Sequence, residues 1–278
     1  MRFLYRCLLP LGFIVFFGSC SVQDHVNPNE PASCRMSLRL SALASLLLPP
    51  GQTVAVGEQA LSDVSGYFEV REIIQVDGRS YAVGWKSDVY RIGAEDSNTS
   101  YEYDAQGRVK KTVQHLKRPS WDITTEYEYF PTEVKLTVTD DRHIYPVPPV
   151  YTKILPLNAQ GYVIDTNVTY NAEGYVIRRG PITYEIENGN VVKGEGLRYE
   201  YDLSRPNPVP DPITIYGRPN RNLRTRAYPD PANPPAEYGH HYIYYPNGRL
   251  KYEIFTSKYP DQERVGIQIN GYEWACTQ

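Results

Sequence analysis

Seven residues recur almost unchanged thirteen positions apart, as Asn158-Ala-Gln-Gly-Tyr-Val-Ile and Asn171-Ala-Glu-Gly-Tyr-Val-Ile. In each copy the Asn side chain can accept a hydrogen bond from the backbone just ahead and open a type I turn. The Gly can then take the left-handed conformation that sends the chain back as a paired strand. Variants of the same signal stand at Asp77-Gly78, Asp104–Gly107, Asn188-Gly189 and Asn247-Gly248. A chain reversed this often has no room for long helices, so the pattern predicts an all-β antiparallel meander of hairpins. Between the two copies, Tyr162–Tyr170 has the length of one long strand. Asp165-Thr166-Asn167 at its centre favours a very short hairpin instead.

The strands between the turns are rich in tyrosine, which makes up 25 of the 278 residues. Tyr101/Tyr103, Tyr127/Tyr129, Tyr199/Tyr201 and Tyr242/Tyr244 are i, i+2 pairs, so each pair projects from one face of its strand. Glu102, Glu128 and Glu200 lie between the members of the first three pairs and point to the other face. One face is therefore covered with tyrosine and the other is more polar. Such rings serve most often as the core of a sheet, and otherwise as a platform for sugars, peptides or a partner protein. All eight tyrosines are thus candidate ligand-binding residues. The choice turns on whether something covers them.

The first segment that could do so is Met36–Gly51. Its Leu38, Leu40, Leu43, Leu46 and Leu47 fit a short amphipathic helix about as well as a strand and turn, and Pro49-Pro50 ends either. Three proline-rich stretches, Tyr145–Val150, Arg205–Pro212 and Tyr228–Pro235, are long for hairpin connections. They read either as stiff binding loops or as covers over sheet ends.

Residues 1–19 carry Arg2 and Arg6, an apolar run from Cys7 to Phe17 and the small pair Gly18-Ser19. That is the layout of a secretory signal peptide, and the apolar run is too short for a permanent span. With Cys20 next, the segment resembles a bacterial lipoprotein signal, with Phe17 where an aliphatic residue is usual. The resemblance implies lipid attachment at Cys20 and an outer-membrane, lipid-anchored location on the periplasmic face or the cell surface. Ser21–Ser33 is polar and Pro-bearing, as suits a spacer, so residues 20–35 form the tether and 36–278 a single β domain. Cys34 and Cys276 remain near the two ends of that domain. In an oxidising compartment they form either a disulfide closing a very long loop or two separate thiols.

Formal net charge is −3; without residues 1–19 it is 27 basic against 32 acidic residues, or −5. With no basic stripe, nucleic acid is excluded as a partner. No P-loop, GxGxxG, G-x-S-x-G or HExxH is present, and no catalytic residue, metal site or cofactor is assigned. His240-His241 are adjacent on a strand and point to opposite faces, which is wrong for one ion. Asp140–His143 lacks the alternating oxygen spacing of a calcium loop.

"YEYDAQGRVKK", "YNAEGYVIRR" and "YYPNGRLKYEI" resemble the YD repeats of RHS-type proteins. The run of such units behind a lipoprotein signal is similar to a family of Bacteroidetes lipoproteins of unknown function assigned a porin-like β fold. "ITYEIENGNVVKGEG" and the closing Tyr272-Glu-Trp274 before Cys276 carry the likeness further, over about residues 90–278. The resemblance implies a meander curled into a barrel-like or half-barrel sheet, and carries over no catalytic residues. Charged residues interleaved through the strands argue against a membrane barrel. The expected function is a non-catalytic binding or structural module of the cell envelope, with a protein or glycan partner. The alternative is a glycan-binding or carbohydrate-active lipoprotein that uses the tyrosine face and the proline-rich loops.

Overall fold

The computed structural model describes residues 34–52, 54, 56–63, 66–87, 97–117, 120–142, 148–230, 237–258 and 266–276. The signal segment and Cys20 lie outside them. Among the described residues nineteen strands follow in order: β1 Cys34–Leu47, β2 Gly57–Asp63, β3 Gly66–Val76, β4 Arg79–Ser87, β5 Ser97–Tyr103, β6 Val109–Lys117 and β7 Ser120–Tyr129. Next come β8 Glu133–Asp140, β9 Val150–Pro156, β10 Val168–Tyr170, β11 Val176–Arg179, β12 Ile182–Thr183 and β13 Glu185–Glu187. The chain ends with β14 Asn190–Gly194, β15 Leu197–Pro206, β16 Asn222–Pro229, β17 Glu237–Tyr244, β18 Leu250–Lys258 and β19 Gly266–Cys276. A 3-10 turn, Thr214–Tyr216, lies between β15 and β16. No helix among the described residues is long and apolar enough to cross a membrane.

Most strands pair with their sequence neighbours, because tight turns make antiparallel hairpins the nearest available partners. Three hairpins turn on two residues in the left-handed region: Asp77-Gly78, Asn188-Gly189 and Glu195-Gly196. Both central residues have positive φ there, as a type I′ turn requires. The main sheet runs β13-β14-β15-β16-β17-β18-β19-β1-β5-β6-β7-β8-β9, and β10-β11-β12 form a separate small sheet.

Two expectations are corrected. The curled or half-barrel sheet does not form: the strand path is open, with β13 and β9 as its two ends and no ladder between them. The chain that links those ends spends its pairing capacity on β10–β12 instead. Second, Met36–Leu48 is not a helix, because Cys34–Leu47 is one strand that also takes in two residues assigned to the tether. Its leucines are apportioned between two sheets: Leu38–Ser41 pair with β5, whereas Ala44–Leu47 pair with β4. A helix would have left both sheets an unpaired edge.

That division folds the β3–β4 hairpin over one face of the main sheet. Ile74, Val76, Tyr81, Val83 and Trp85 pack there on Leu40, Leu43, Tyr252, Ile254 and Ile269. The opposite face carries the i, i+2 tyrosine pairs, among them Tyr127/Tyr129 and Tyr242/Tyr244. Cys34 and Cys276 are directly opposed on β1 and β19 and are joined by a disulfide across 242 residues of sequence.

Candidate functional site

The repeated turn is built as its residues dictate. Asn158 Oδ1 accepts from the amides of Gln160 and Tyr162 at 2.9 and 3.0 Å, and Gly161 has φ +82. Asn171 Oδ1 does the same for Glu173 and Tyr175 at 3.1 and 2.9 Å, and Gly174 has φ +92. The two copies also rest on each other. Gln160 Nε2 donates to Ala172 O at 2.7 Å, and a Cβ on Gly174 would fall 2.5 Å from the Tyr162 hydroxyl oxygen. Here glycine is required twice over, by backbone conformation and by close approach. Asp165–Val168 is a turn, with the Val168 amide donating to Asp165 O. The residues either side of it do not pair together: Val163 bonds Ile215, and Val168–Tyr170 pair with β11.

The tyrosine face follows a rule that the sequence does not display. Five of the register shifts in the main sheet place one extra residue against one neighbour, at Ser37, Lys110, Val192, Thr225 and Lys251; further shifts fall at Leu40/Leu43 and Asp202/Pro206. Such a bulge interrupts the ladder locally. In all five, an aromatic donor from the neighbour on the other side reaches the carbonyl just before the extra residue. Tyr103 donates to Met36 O at 2.7 Å, Tyr129 to Val109 O at 2.8 Å, and Tyr201 to Val191 O at 2.6 Å. Tyr242 donates to Arg224 O at 2.8 Å, and Trp274 Nε1 to Leu250 O at 2.8 Å. In three of these locks the arginine preceding the acceptor residue stacks on the same ring: Arg35 on Tyr103, Arg108 on Tyr129 and Arg249 on Trp274, at 5.3, 4.4 and 5.0 Å.

The remaining tyrosines are engaged as well. Tyr199 donates to Gly194 O at 3.4 Å and lies under the Arg224 guanidinium at 4.3 Å, while Arg205 donates to the Tyr244 hydroxyl at 3.3 Å. Tyr127 lies beside Tyr129 with ring centres 6.3 Å apart, and Tyr101 packs with Met36, Leu250 and Tyr272. Burial pushes the phenols of Tyr101, Tyr127, Tyr129, Tyr199, Tyr201, Tyr242 and Tyr244 above the ordinary tyrosine value. None of these seven is a phenolate nucleophile near neutral pH.

The cover over this face comes from the second proline-rich stretch and its continuation. Val209 packs against Met36, Leu250 and Tyr272; Ile213 and Ile215 pack with Val134, Leu136 and Leu155 beside Tyr127 and Tyr129. Val163, from the first heptapeptide, joins the same cluster. The other two proline-rich stretches fall partly outside the described residues, as does His143. Asp140 is a buried carboxylate gripped by Arg142 Nε and Nη2 at 2.9 and 2.8 Å, an ion pair that closes a turn. His240 and His241 do point to opposite faces. His240 stacks edge-on to Phe255 at 4.7 Å, and His241 meets Thr256 Oγ1 at 3.3 Å. Burial, then the Arg224 charge and neighbouring His241, push the His240 imidazole down to about 3. Among the described residues no group of three or more His, Cys, Asp or Glu is placed to hold a metal ion.

What the sequence reading missed lies at the sheet edge. Among the described residues β9 pairs only with β8, and Val150, Tyr151 and Ile154 are 56, 37 and 57% exposed. Ile164, whose amide donates to Pro156 O, and Phe130 in the β7–β8 turn add exposed apolar surface near the end of that edge. Lys153 is the one charge on the strand. The other end of the path is better guarded: β13 has three residues, two of them glutamates, and the neighbouring Tyr184 amide bonds Ile177 O of the small sheet. The signal for β9 was present in "VYTKILP", a β-branched and aromatic run with a single charge. Nothing local marked it as an end strand.

No family model matches the chain, and no curated protein matches it. Among solved structures it is similar to the crystal structure of a porin-like protein from Bacteroides uniformis. The two are 14% identical with a TM-score of 0.47, and the match covers 67% of this chain and 94% of the other.

Proposed function

We propose that this protein is a lipid-anchored component of the bacterial cell envelope that works without catalysis, as a structural or binding module, through the open edge of its sheet. The observation that carries the reading is the contrast between the two candidate surfaces. Five hydroxyls of the eight tyrosines donate to backbone carbonyls, and the chain's own Val209, Ile213 and Ile215 pack on that face. Among the described residues β9 offers one edge without a partner strand, with exposed Val150, Tyr151 and Ile154, the kind of edge that recruits another strand by main-chain hydrogen bonds. A glycan groove would need free ring faces and free hydroxyls, so the carbohydrate reading is the weaker one. The signal-like segment ending at Cys20 and the resemblance to YD-repeat lipoproteins support the envelope location.

The test is to express the tagged full chain in a bacterial envelope, fractionate it and cross-link it there. The same chain is run on a glycan array. The expected results are membrane fractionation that is lost in Cys20→Ala, a stoichiometric cross-linked protein adduct that is lost in Ile154→Lys, and silence on the array. Saturable glycan binding abolished by Tyr199→Ala would overturn the edge reading, and membrane retention of Cys20→Ala would overturn the anchor.

A further inference from the structure

We infer that the occupant of the β9 edge is the β9 edge of a second copy of this chain, joined antiparallel about a two-fold axis through Thr152. The inference rests on reading this edge as the interaction surface, and it adds the identity and register of the partner. Side chains alternate along the strand: Leu155 reaches the core beside Val134 and Leu136, which puts Tyr151 and Lys153 on that face and Val150, Thr152 and Ile154 on the other. A two-fold axis normal to the sheet keeps each face continuous across the junction, so every residue must oppose one of its own face. Only registers centred on a residue satisfy this.

The available centres run from Tyr151 to Leu155, and side-chain chemistry separates them. Centring on Tyr151 shortens the overlap and leaves Ile154 unmatched. Centring on Lys153 sets two ammonium groups directly opposite each other, which is destabilising. Centring on Ile154 or Leu155 draws Pro156, which has no amide to donate, into the ladder and leaves Val150 unmatched. Centring on Thr152 pairs all five residues from Val150 to Ile154. Val150 then meets Ile154 of the other copy twice, Thr152 meets Thr152, and Tyr151 meets Lys153 twice. β-Branched residues opposed across strands are favourable pairs, and an ammonium beside an aromatic ring is attracted to it. The two most exposed apolar side chains of the strand, Val150 and Ile154, are the ones this register removes from water. The strand edge is thereby self-complementary in register and apolarity, and its one charge meets an aromatic ring.

The register makes a covalent prediction. Directly opposed residues of antiparallel strands have Cα atoms about 4.5–5.5 Å apart, within reach of a disulfide, whereas the two copies of Lys153 would be offset beyond the roughly 7 Å limit. Under mild oxidation of the full chain in detergent, Thr152→Cys should give at least about tenfold more disulfide-linked dimer than Lys153→Cys. The unmodified chain, treated alike, gives the background from its own cysteines. Sedimentation of the unmodified chain should show a concentration-dependent dimer, and Ile154→Lys should be monomeric while keeping the circular dichroism spectrum of the parent.

Equal cross-linking of Thr152→Cys and Lys153→Cys would overturn the register. A strictly monomeric chain that still forms an Ile154-dependent adduct with another envelope protein would overturn self-pairing while sparing the edge reading. A monomer with no such adduct would remove both.

Discussion

Replacing Tyr129 by phenylalanine tests whether the tyrosine repeats hold the sheet together. The change removes one oxygen, the donor to Val109 O at 2.8 Å, and leaves the ring under Arg108 in place. Val109 is 0% exposed, so water cannot readily replace the lost donor. A typical buried hydrogen bond contributes about 1 kcal/mol net, and leaving its partner unsatisfied costs up to about 3. We therefore expect a loss of about 1–2 kcal/mol, which for a domain of this size lowers the Tm by roughly 3–6 °C. The assay is urea unfolding followed by circular dichroism with the disulfide intact, reading the midpoint at unchanged slope. Tyr201→Phe, which removes the bond to Val191 O, should behave alike. β7 and β15 stand eight positions apart in the strand order, so the double variant should be additive within about 0.5 kcal/mol. Tyr151→Phe on the exposed edge is the control and should cost less than about 0.5 kcal/mol. If Tyr129→Phe and Tyr201→Phe both fall within about 0.3 kcal/mol of the parent, the locks are decoration and the reasoning fails.

Opening the Cys34–Cys276 bridge with a reductant, or in the double serine variant, frees a loop of 242 residues, worth up to about 5.5 kcal/mol in the chain-entropy model; the urea midpoint should drop sharply. The His240 imidazole, held down to about 3 in the folded chain against about 6.5 unfolded, binds fewer protons when folded. Stability should therefore fall as pH is lowered from 6.5 towards 3, by up to about 1.4 kcal/mol per unit, and His240→Gln should flatten that slope in a pH series of urea melts. Asn190 is 1% exposed; its Nδ2 donates to Asn222 Oδ1 at 2.9 Å and its Oδ1 accepts from the Asn222 amide at 2.8 Å. Asn190→Leu should cost about 2–3 kcal/mol in a thermal melt, and a near-neutral result would show that the network is replaceable.

The sequence by itself determined whatever is settled within a few residues. Asn158, Asn171 and Asp104 each bond backbone amides two to four positions ahead, and Asp77-Gly78 and Asn188-Gly189 reverse the chain on their own two residues. Those interactions close small rings, so their chemistry is visible in the string of letters, and so was the alternation of tyrosine and glutamate across the strands. The tertiary structure decided the rest, because the partners are far apart in the chain. Tyr103 finds Met36 across 67 residues and Trp274 finds Leu250 across 24, and neither residue type announces a bulge on the adjoining strand. Strand or helix for Cys34–Leu47 was undecidable locally, since five leucines satisfy either period; long-range pairing with β19, β5 and β4 settled it. Likewise the open path from β13 to β9 depends on where the linking chain pairs, a long-range choice. The duplicated heptapeptide spells out a turn; that its first tyrosine rests on its second glycine is a fact of the folded chain alone.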